Sequence, residues 1–586
     1  MESVSADEAK TPFSKLLRWP ILNLGLGLFS FLLLFNPTFA NSADPLIFPP
    51  GELRAVLSAD SVNQGLINQG RATPTTLPFT SGTSVYEIRV NRDIYLARTY
   101  LRDPSRTKEG AAGSWVMEPN SLRGLSVAQV RDKFALPASN DYLTTVKIPA
   151  GFIIQTGSAG PIVGWGDGGG QQVLLISRWD PSYFPQQRTL VDQNLLFSPL
   201  VPRGNPGNMA AYLDSLPQPE PYSDWSVTNL LLGYLSNSPL TQALNQIGPE
   251  RYDTLTQIDI QNMAQFNNNL LERRRSRTGP WPSSPQKKEM TGDQTTPGNL
   301  PSPAVEVPNG DLYLWGKAMG SFGRQDSSRD HFGYDYQTGS ILAGVEKKMR
   351  ENILFGSGLS LSRSGFSWND NLGDGSMTQI NLGFYGSVLA SPYFVDWTVI
   401  GGVRKADVNR RIRFTGVDRL ATSSPEGYNF AAGLDGGLNK KVGNWDLEPL
   451  VRMSVFYTKQ DSLTESGADS LNLKIDQIES WTWRGECGLR LSRTASLESG
   501  LKIVPDFWLG FGFQQPLDNR DIKASLIGQT GNFTVNGYNN SSWSFLPRLG
   551  LIAKGSGKTS FFLNFAGDYR SDFIGHSINA GMQVSF

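Results

Sequence analysis

The residue types that most often carry enzyme or metal chemistry are scarce in this chain of 586 residues. It has two histidines, His331 and His576, and one cysteine, Cys487, so no disulfide is expected. Residues 41–204 contain neither type, which excludes there a Ser-His-Asp triad, a Cys-His pair and a zinc site built on these ligands. They also contain no Gly-x-Ser-x-Gly nucleophile motif. We therefore predict no metal site and no protease or esterase activity in this part of the chain.

One further constellation of residues occurs in the same part of the chain. It consists of Arg98, Trp115, Gln171 and Gln172, which lie within the segments 95–100, 113–115 and 168–172, with 125–137 and 146–151 between them. The set resembles modules of bacterial exoproteins related to ADP-ribosyltransferase or NAD glycohydrolase toxins. That resemblance implies that Arg98 binds a cofactor phosphate, Trp115 shapes the nicotinamide pocket and a glutamine lies near the ribose. No catalytic glutamate follows the glutamines, and the alternative is a structural β module whose glycines only make a turn.

The N-terminus has the features of an export signal. Lys10, Lys15 and Arg18 precede an apolar run at 21–35, and small residues at 38–40 fit a cleavage site. The run is shorter than the roughly 20 residues that a membrane-spanning helix needs. We predict a cleaved signal peptide at 1–40 rather than a membrane anchor.

Composition divides the rest of the chain into four parts. Residues 41–204 show mixed short strands and loops, and 205–277 have helical periodicity. Residues 278–309 are rich in proline, serine, threonine and glycine and form a linker, and 310–586 consist of strand-like segments. The formal net charge is zero, which gives no support for a nucleic-acid partner.

The segments in 310–586 alternate apolar and polar residues over about ten positions each. In one segment Ile380, Leu382 and Phe384 point to one side, and Asn381 and Tyr385 point to the other. Opposite the apolar face lie charges of both signs, which suits a wet lumen, and aromatic residues gather near segment ends. The pattern predicts an all-β transmembrane barrel, preceded by a short α-helical connecting segment and a small mixed or β domain.

The barrel is predicted to have about 12 antiparallel strands, with alternating long and short loops. The strands are expected near 312–322, 336–348, 352–362, 376–388, 393–404, 427–438, 445–457, 480–491, 502–514, 543–553, 558–568 and 576–586. The long loops are expected at 404–427, 457–480 and 514–543. The last strand places apolar residues at alternate positions and ends on an aromatic, which matches the assembly signal of outer-membrane barrels. Those residues are Ile578, Ala580, Met582, Val584 and Phe586.

Several motifs in order resemble the C-terminal translocator of classical autotransporters, the type V secretion proteins of bacterial outer membranes. The motifs lie at 315–323, 334–345, 531–535 and 569–586, and helical segments at 207–213, 238–240 and 244–252 are similar to the region before such barrels. The resemblance implies that residues 41–204 are a passenger carried to the cell surface. It also implies, as partners, outer-membrane lipid, the barrel-assembly machinery, periplasmic chaperones, the inner-membrane secretion translocon and a host-surface ligand, and no cofactor.

In that family a helical segment threads the lumen, which suggests ion pairs between this helix and the barrel wall. The candidate helix residues are Arg273, Arg274 and Arg275, and the candidate wall residues are Asp446, Glu448, Glu486 and Asp568. The alternatives are that the arginines form a solvated helix end, or that the proline-rich linker threads the pore instead.

Some members cut their own passenger at an asparagine pair, and Asn268 with Asn269 is faintly similar to that site. The alternative is a polar helix face.

Three functions remain open from the sequence. The first is a translocator that anchors an adhesive or binding passenger at the cell surface. The second is the same translocator with a NAD-consuming passenger, and the third is a porin-like channel with a periplasmic N-terminal domain.

Overall fold

The computed structural model describes residues 46–101, 111–184, 186–274, 312–350, 352–498, 501–539, 541–554 and 559–585. The predicted signal peptide, the proline-rich linker, Arg275 and Phe586 lie outside these residues. Among the described residues, no helix combines the length and the hydropathy that crossing a membrane requires.

The N-terminal part folds as one antiparallel sheet with two helices. The strands are β1 (Gly51–Ser58), β2 (Ser84–Val90), β3 (Ile94–Tyr100), β4 (Trp115–Met117), β5 (Tyr142–Ile148), β6 (Ile153–Ser158), β7 (Gln171–Leu175) and β8 (Gln186–Thr189), and the helices are α1 (Ala59–Asn68) and α2 (Val127–Lys133). The strand order is β1-β2-β6-β7-β4-β3-β5-β8. Helix α2 begins at a capping box formed by Ser126 and Gln129, which satisfies two backbone amides at its start. One face of the sheet encloses an apolar core around Ile88, Leu96 and Val173.

Four helices connect this sheet to the C-terminal strands. They are α3 (Asn205–Ser215), α4 (Asp224–Gly233), α5 (Asn237–Ile247) and α6 (Asp253–Leu271). Short 3-10 turns occur at Pro119–Leu122, Pro181–Tyr183, Ser198–Leu200, Glu250–Tyr252, Asn369–Asn371 and Asp469–Leu471. We call α3 to α5, together with the 3-10 turn at Glu250–Tyr252, the cap.

The C-terminal part contains nineteen described strands, of which twelve close into a ring. The strands are β9 (Leu312–Gln325), β10 (Tyr334–Arg350), β11 (Ile353–Trp368), β12 (Gly373–Ala390), β13 (Tyr393–Phe414), β14 (Val417–Ser423), β15 (Glu426–Leu438), β16 (Lys440–Val442), β17 (Trp445–Gln460), β18 (Leu463–Thr464), β19 (Leu473–Ile475), β20 (Ile478–Ser492), β21 (Ala495–Ser496), β22 (Lys502–Pro516), β23 (Asp521–Leu526), β24 (Phe533–Asn536), β25 (Ser542–Lys554), β26 (Thr559–Tyr569) and β27 (Phe573–Ser585). The ring consists of β9 to β13, β15, β17, β20, β22 and β25 to β27, and it closes where β27 pairs with β9. The predicted twelve-stranded antiparallel barrel is confirmed.

Side chains alternate between the two faces of the barrel wall as the period of two requires. Leu382 and Phe384 are 48% and 44% exposed on the outside, whereas the neighbouring Asn381 and Tyr385 are buried inside. Aromatic rings form a row near one end of the outer face, where Tyr457 packs between Tyr428 and Trp481. An apolar outer face bounded by aromatic residues is the arrangement that a lipid bilayer solvates.

The two ends of the barrel differ. Short connections join β10 to β11 and β12 to β13 at the end where β9 begins, which we call the short-turn end. At the opposite, long-loop end the strands continue past the predicted boundaries, so that β13 extends to Phe414 and pairs with β14. The regions predicted as long loops therefore contain strands, and four of these, β18, β19, β23 and β24, form a separate small sheet.

The cap and the N-terminal sheet pack on the long-loop end through one continuous apolar core. This core joins Met117 of the sheet, Leu230 of the cap and Phe533 of the loops. Polar contacts add to it: Arg419 donates from Nη1 and Nη2 to the carboxylate of Asp224 at 2.6 and 2.7 Å. The N-terminal domain is thus docked on the barrel over a buried surface.

Candidate functional site

Helix α6 occupies the barrel lumen, with its N-terminal end at the long loops and its C-terminal end at the short turns. Its apolar side chains, among them Met263, Phe266 and Leu270, pack against inward-facing Trp315 and Phe456. Asp253 in the first turn favours the helix because it lies at the positive end of the helix dipole. Residues on every side of α6 are buried, polar ones included, because the wall surrounds the helix.

Midway along the lumen one acidic side chain binds three strands. Asp259 is fully buried, and its Oδ2 lies 3.0 Å from Nε of Arg404 on β13. Its Oδ1 accepts hydrogen bonds from Gln379 at 2.8 Å and Asn429 at 2.7 Å. A buried carboxylate needs such partners, because burying an ionised group without them costs on the order of several kcal/mol. This contact fixes the rotation of α6 about its axis.

At the C-terminal end, three consecutive residues contact three different parts of the wall. Glu272 accepts from Arg548 at 2.6 Å and from Arg490 at 3.1 Å. Arg274 lies 3.2 Å from Asp396 and 3.2 Å from Glu448. Because the contacts point in different directions, they oppose both rotation and sliding of the helix.

The middle residue of the three, Arg273, lies among side chains from four strands of the wall. Its Nε and Nη2 donate to the two carboxylate oxygens of Glu346, both at 3.1 Å, and Nη2 also donates to Gln583 of the last strand at 2.6 Å. The guanidinium lies 4.6 Å from the ring centroid of Trp315. Tyr385 completes the group by donating its hydroxyl to Glu346 at 2.8 Å. Bidentate pairing with a carboxylate and stacking on an aromatic ring are contacts that arginine makes and lysine does not.

The other wall residues named from the sequence have different partners. Glu486 pairs with Arg484 at 2.9 Å and with Arg548 at 3.0 Å, and Asp568 lies 3.2 Å from Arg484. Asp446 is half-buried at the short-turn end of β17. Glu448 forms a direct ion pair with Arg274, one of the predicted helix arginines.

The asparagine run lies deep in the lumen. Oδ1 of Asn268 accepts from Arg452 at 2.8 Å, and Oδ1 of Asn269 accepts from Lys317 at 2.8 Å. Asn267 donates to Ser454 at 3.0 Å. These three side chains therefore take part in holding α6 against the wall.

The candidate dinucleotide residues lie together in the N-terminal sheet, where they bind the chain itself. Nη1 of Arg98 donates to the carbonyl oxygen of Trp115 at 2.8 Å, and the ring of Trp115 packs 5.6 Å from that of Phe79. Burial lowers the pKa of Arg98 from its ordinary value. The side-chain amide of Gln171 donates to the carbonyl oxygen of Ile47, and that of Gln172 donates to the carbonyl oxygen of Pro78.

The last strand shows the expected outward row. Ile578 and Met582 are 50% and 45% exposed on the outer face, Ala580 lies between them, and Val584 is half-buried. Their position on the outer face follows from the alternation of side chains along a strand.

A buried acid lies in the cap above the lumen. Glu250 is fully buried beside Arg251, and burial raises its pKa to about 8 even though Arg251 and Arg410 favour the charged form. We therefore expect the packing of the cap to depend on pH through this carboxyl group.

Sequence reasoning missed Glu272, which directly follows α6, and most of the wall partners of the helical segment, namely Lys317, Glu346, Asp396, Arg404, Arg452, Arg490 and Arg548. Each wall residue has inward parity in its strand, so alternation was the available signal. Alternation predicts which face of the wall a side chain lies on, but not its position along the barrel axis. That position decides which charged side chains meet.

Comparison with known proteins gives matches to the barrel region. The family model described as the autotransporter beta-domain matches residues 314–566. Solved structures similar to this chain include the translocator domain of the autotransporter NalP from Neisseria meningitidis, at 19% identity over 48% of this chain and 91% of that one, with a TM-score of 0.38. The beta domain of the Bordetella autotransporter BrkA matches at 15% identity over 47% and 100%, with a TM-score of 0.36. The transport unit of the autotransporter AIDA-I from Escherichia coli matches at 10% identity over 49% and 93%, with a TM-score of 0.31.

No curated protein matches the chain significantly. The family match covers the twelve-stranded ring from its first strand into β26, and the ring has the lipid-compatible outer face described above. The barrel of this chain is therefore an autotransporter β-domain, a translocator of the bacterial outer membrane.

Proposed function

We propose that the barrel carries the passenger, residues 41–204, to the cell surface and keeps its N-terminal sheet there as a folded binding module. The main support for this proposal is the continuous apolar core that joins the N-terminal sheet, the cap and the barrel loops. A released or loosely tethered passenger has no need of a buried interface with its translocator. The ion pairs of Glu272, Arg273 and Arg274 support the same conclusion, because they hold α6 in the lumen.

Binding is favoured over NAD consumption by the surroundings of the candidate residues. Arg98, Gln171 and Gln172 donate to backbone carbonyls of their own domain. Their amide and guanidinium groups thereby stabilise the sheet rather than line an open cofactor pocket. The test is NAD hydrolysis by the purified chain, which we expect to be absent. Turnover that disappears in Arg98→Ala without loss of the folded sheet would favour the enzyme.

Anchoring is favoured over a porin-like channel because α6 fills the lumen. Phe266 and Leu270 pack against the wall, and the cavity beside Asn268 and Asn269 has a volume of about 90 Å³, which holds only a few water molecules. A conducting pore requires a continuous wet path instead.

The orientation is tested by labelling intact cells with a membrane-impermeant maleimide. A Cys487→Ser background removes the native thiol, and Val163→Cys places a new one at a fully exposed position of the N-terminal domain. The matched control is Lys441→Cys, which lies exposed at the short-turn end. We expect the first thiol to react on intact cells and the second only after lysis. The reverse pattern would show that the N-terminal domain faces the periplasm.

A further inference from the structure

Strand β1 forms an open edge of the N-terminal sheet. It pairs with β2 alone, and among the described residues no other strand lies on its outer side. An edge strand leaves a row of backbone N–H and C=O groups without partners in the sheet, which is a template for a further strand. Residues 51–58 contain no proline and no lysine, two residue types with which proteins commonly block such an edge.

The edge carries exposed apolar side chains on the same face as the domain core. Leu53 and Val56 are 55% and 57% exposed, and their cross-strand partners are the core residue Ile88 and the partly buried Tyr86. Phe48 extends this surface, because its ring packs edge-on against Tyr86 at 4.8 Å and remains half exposed. The apolar core of the domain is therefore open to solvent at this edge.

This edge lies away from the barrel. Helix α4 packs on β3, and four strands stand between β3 and β1 in the sheet. At about 4.8 Å per strand, β1 is about 24 Å from β3. A partner can therefore approach the edge without disturbing the cap.

The charges on β1 favour a second copy of the same strand. In an antiparallel pairing centred on Leu53, Glu52 of each copy lies opposite Arg54 of the other, and Leu53 lies opposite itself. The bulge between Leu53 and Ala55 leaves Arg54 without a partner on β2. Its ion pair with Glu87 is 3.6 Å long, and the two side chains are 40% and 21% exposed, so the pair is partly screened by solvent and can be exchanged.

We propose that two copies of this chain associate through their β1 edges across a two-fold axis, so that the two eight-stranded sheets become one continuous sheet. The same patch then serves both partners, as a two-fold interface requires. Association between copies on facing cells also requires the proposed display of the N-terminal domain at the cell surface. Association of purified chains does not require it. Purified chains therefore test the proposal independently of orientation.

The first experiment is a disulfide cross-link in the purified full chain. Leu53→Cys in the Cys487→Ser background places one thiol at the two-fold axis, and mild oxidation is expected to give a covalent dimer at low protein concentration. Val163→Cys in the same background is the matched control, because it is exposed on the same domain but lies in the connection between β6 and β7. Dimer from both variants alike would indicate random collision and overturn the proposal, as would no dimer from the Leu53→Cys chain.

The second experiment tests the register by exchanging charges. The Glu52→Arg chain and the Arg54→Glu chain each bring like charges together, so each is expected to lose self-association. A mixture of the two restores both opposite-charge pairs and is expected to associate. If the mixture stays monomeric while the unaltered chain associates, the pairing is not the one proposed. If β1 captures only an unrelated extended peptide, the second-copy proposal is wrong. Failure of either test leaves the labelling result, and with it the proposed anchoring, unaffected.

Discussion

The contact between Arg273 and Glu346 gives the sharpest test of how α6 is held in the lumen. Both side chains are fully buried, and they share two hydrogen bonds of 3.1 Å. In Arg273→Met the carboxylate of Glu346 stays buried without its guanidinium, and removing one partner of a buried pair costs about 3–5 kcal/mol. The Arg273→Met, Glu346→Leu double variant buries no unpaired charge at this place, so it is expected to recover most of that loss.

The assay follows both stability and occupancy of the lumen. Thermal unfolding of the purified chain in detergent gives the loss for each single variant and for the double variant. In planar bilayers, a helix that is held less stably leaves the lumen more often, and each departure is measured as ion conductance. Since each 1.4 kcal/mol changes an equilibrium about tenfold, the open fraction is expected to rise by about two to three and a half orders of magnitude in Arg273→Met.

An exposed pair of the same chemistry provides the control. Arg324 and Asp335 are 3.0 Å apart on the outer face, with 61% and 54% of their side chains exposed. Arg324→Met is expected to cost about 1 kcal/mol or less and to leave conductance unchanged, because solvent screens the pair. The reasoning is refuted if the two arginine variants lose the same stability, or if Glu346→Leu fails to offset any of the loss from Arg273→Met.

Three further outcomes are expected. The folded-state pKa of Glu250 is about 8, against an ordinary 4.5. The stability that this group contributes is therefore fully present below about pH 4.5 and is lost as pH rises through about 8. Glu250→Gln is expected to flatten the pH dependence of protease resistance in the cap. Arg419→Ala leaves the partly buried Asp224 without its bidentate partner and is expected to cost about 1.5–3 kcal/mol of docking, measured as faster proteolysis of the N-terminal domain on cells. Gly344→Val is expected to impair barrel folding, read from heat-dependent migration in gels, because even a Cβ there would lie 2.5 Å from the ring of Trp315.

The barrel was predictable because its signal is local and repeated. A strand in a lipid-facing wall must alternate every second residue, so the outward positions of Ile380 and Leu382 follow from the sequence alone. The strands in the long loops were not predictable in the same way. β18 and β19 are two and three residues long, and they pair within a small sheet whose partners lie far along the chain.

The position of α6 could be expected only from the family resemblance. A helix surrounded by a wet wall has no single apolar face, so Asp259 and Phe266 are both buried although one is charged and the other apolar. Which wall charge meets Arg273 depends on the stagger between strands, which is a property of the closed ring rather than of any segment. For this reason the sequence named Glu486, whereas the structure places Glu346 beside Arg273.

The threaded helix also determines how the molecule responds to mechanical force. If the N-terminal domain is displayed as proposed, a pull on it away from the cell would act along the axis of α6, whose 19 residues extend about 28 Å. Its wall contacts, from Asp259 near the middle to Arg274 at the far end, would then be strained in shear and share the tension. Contacts strained together yield at a higher force than contacts opened one by one, so the arrangement suits a tether exposed to flow.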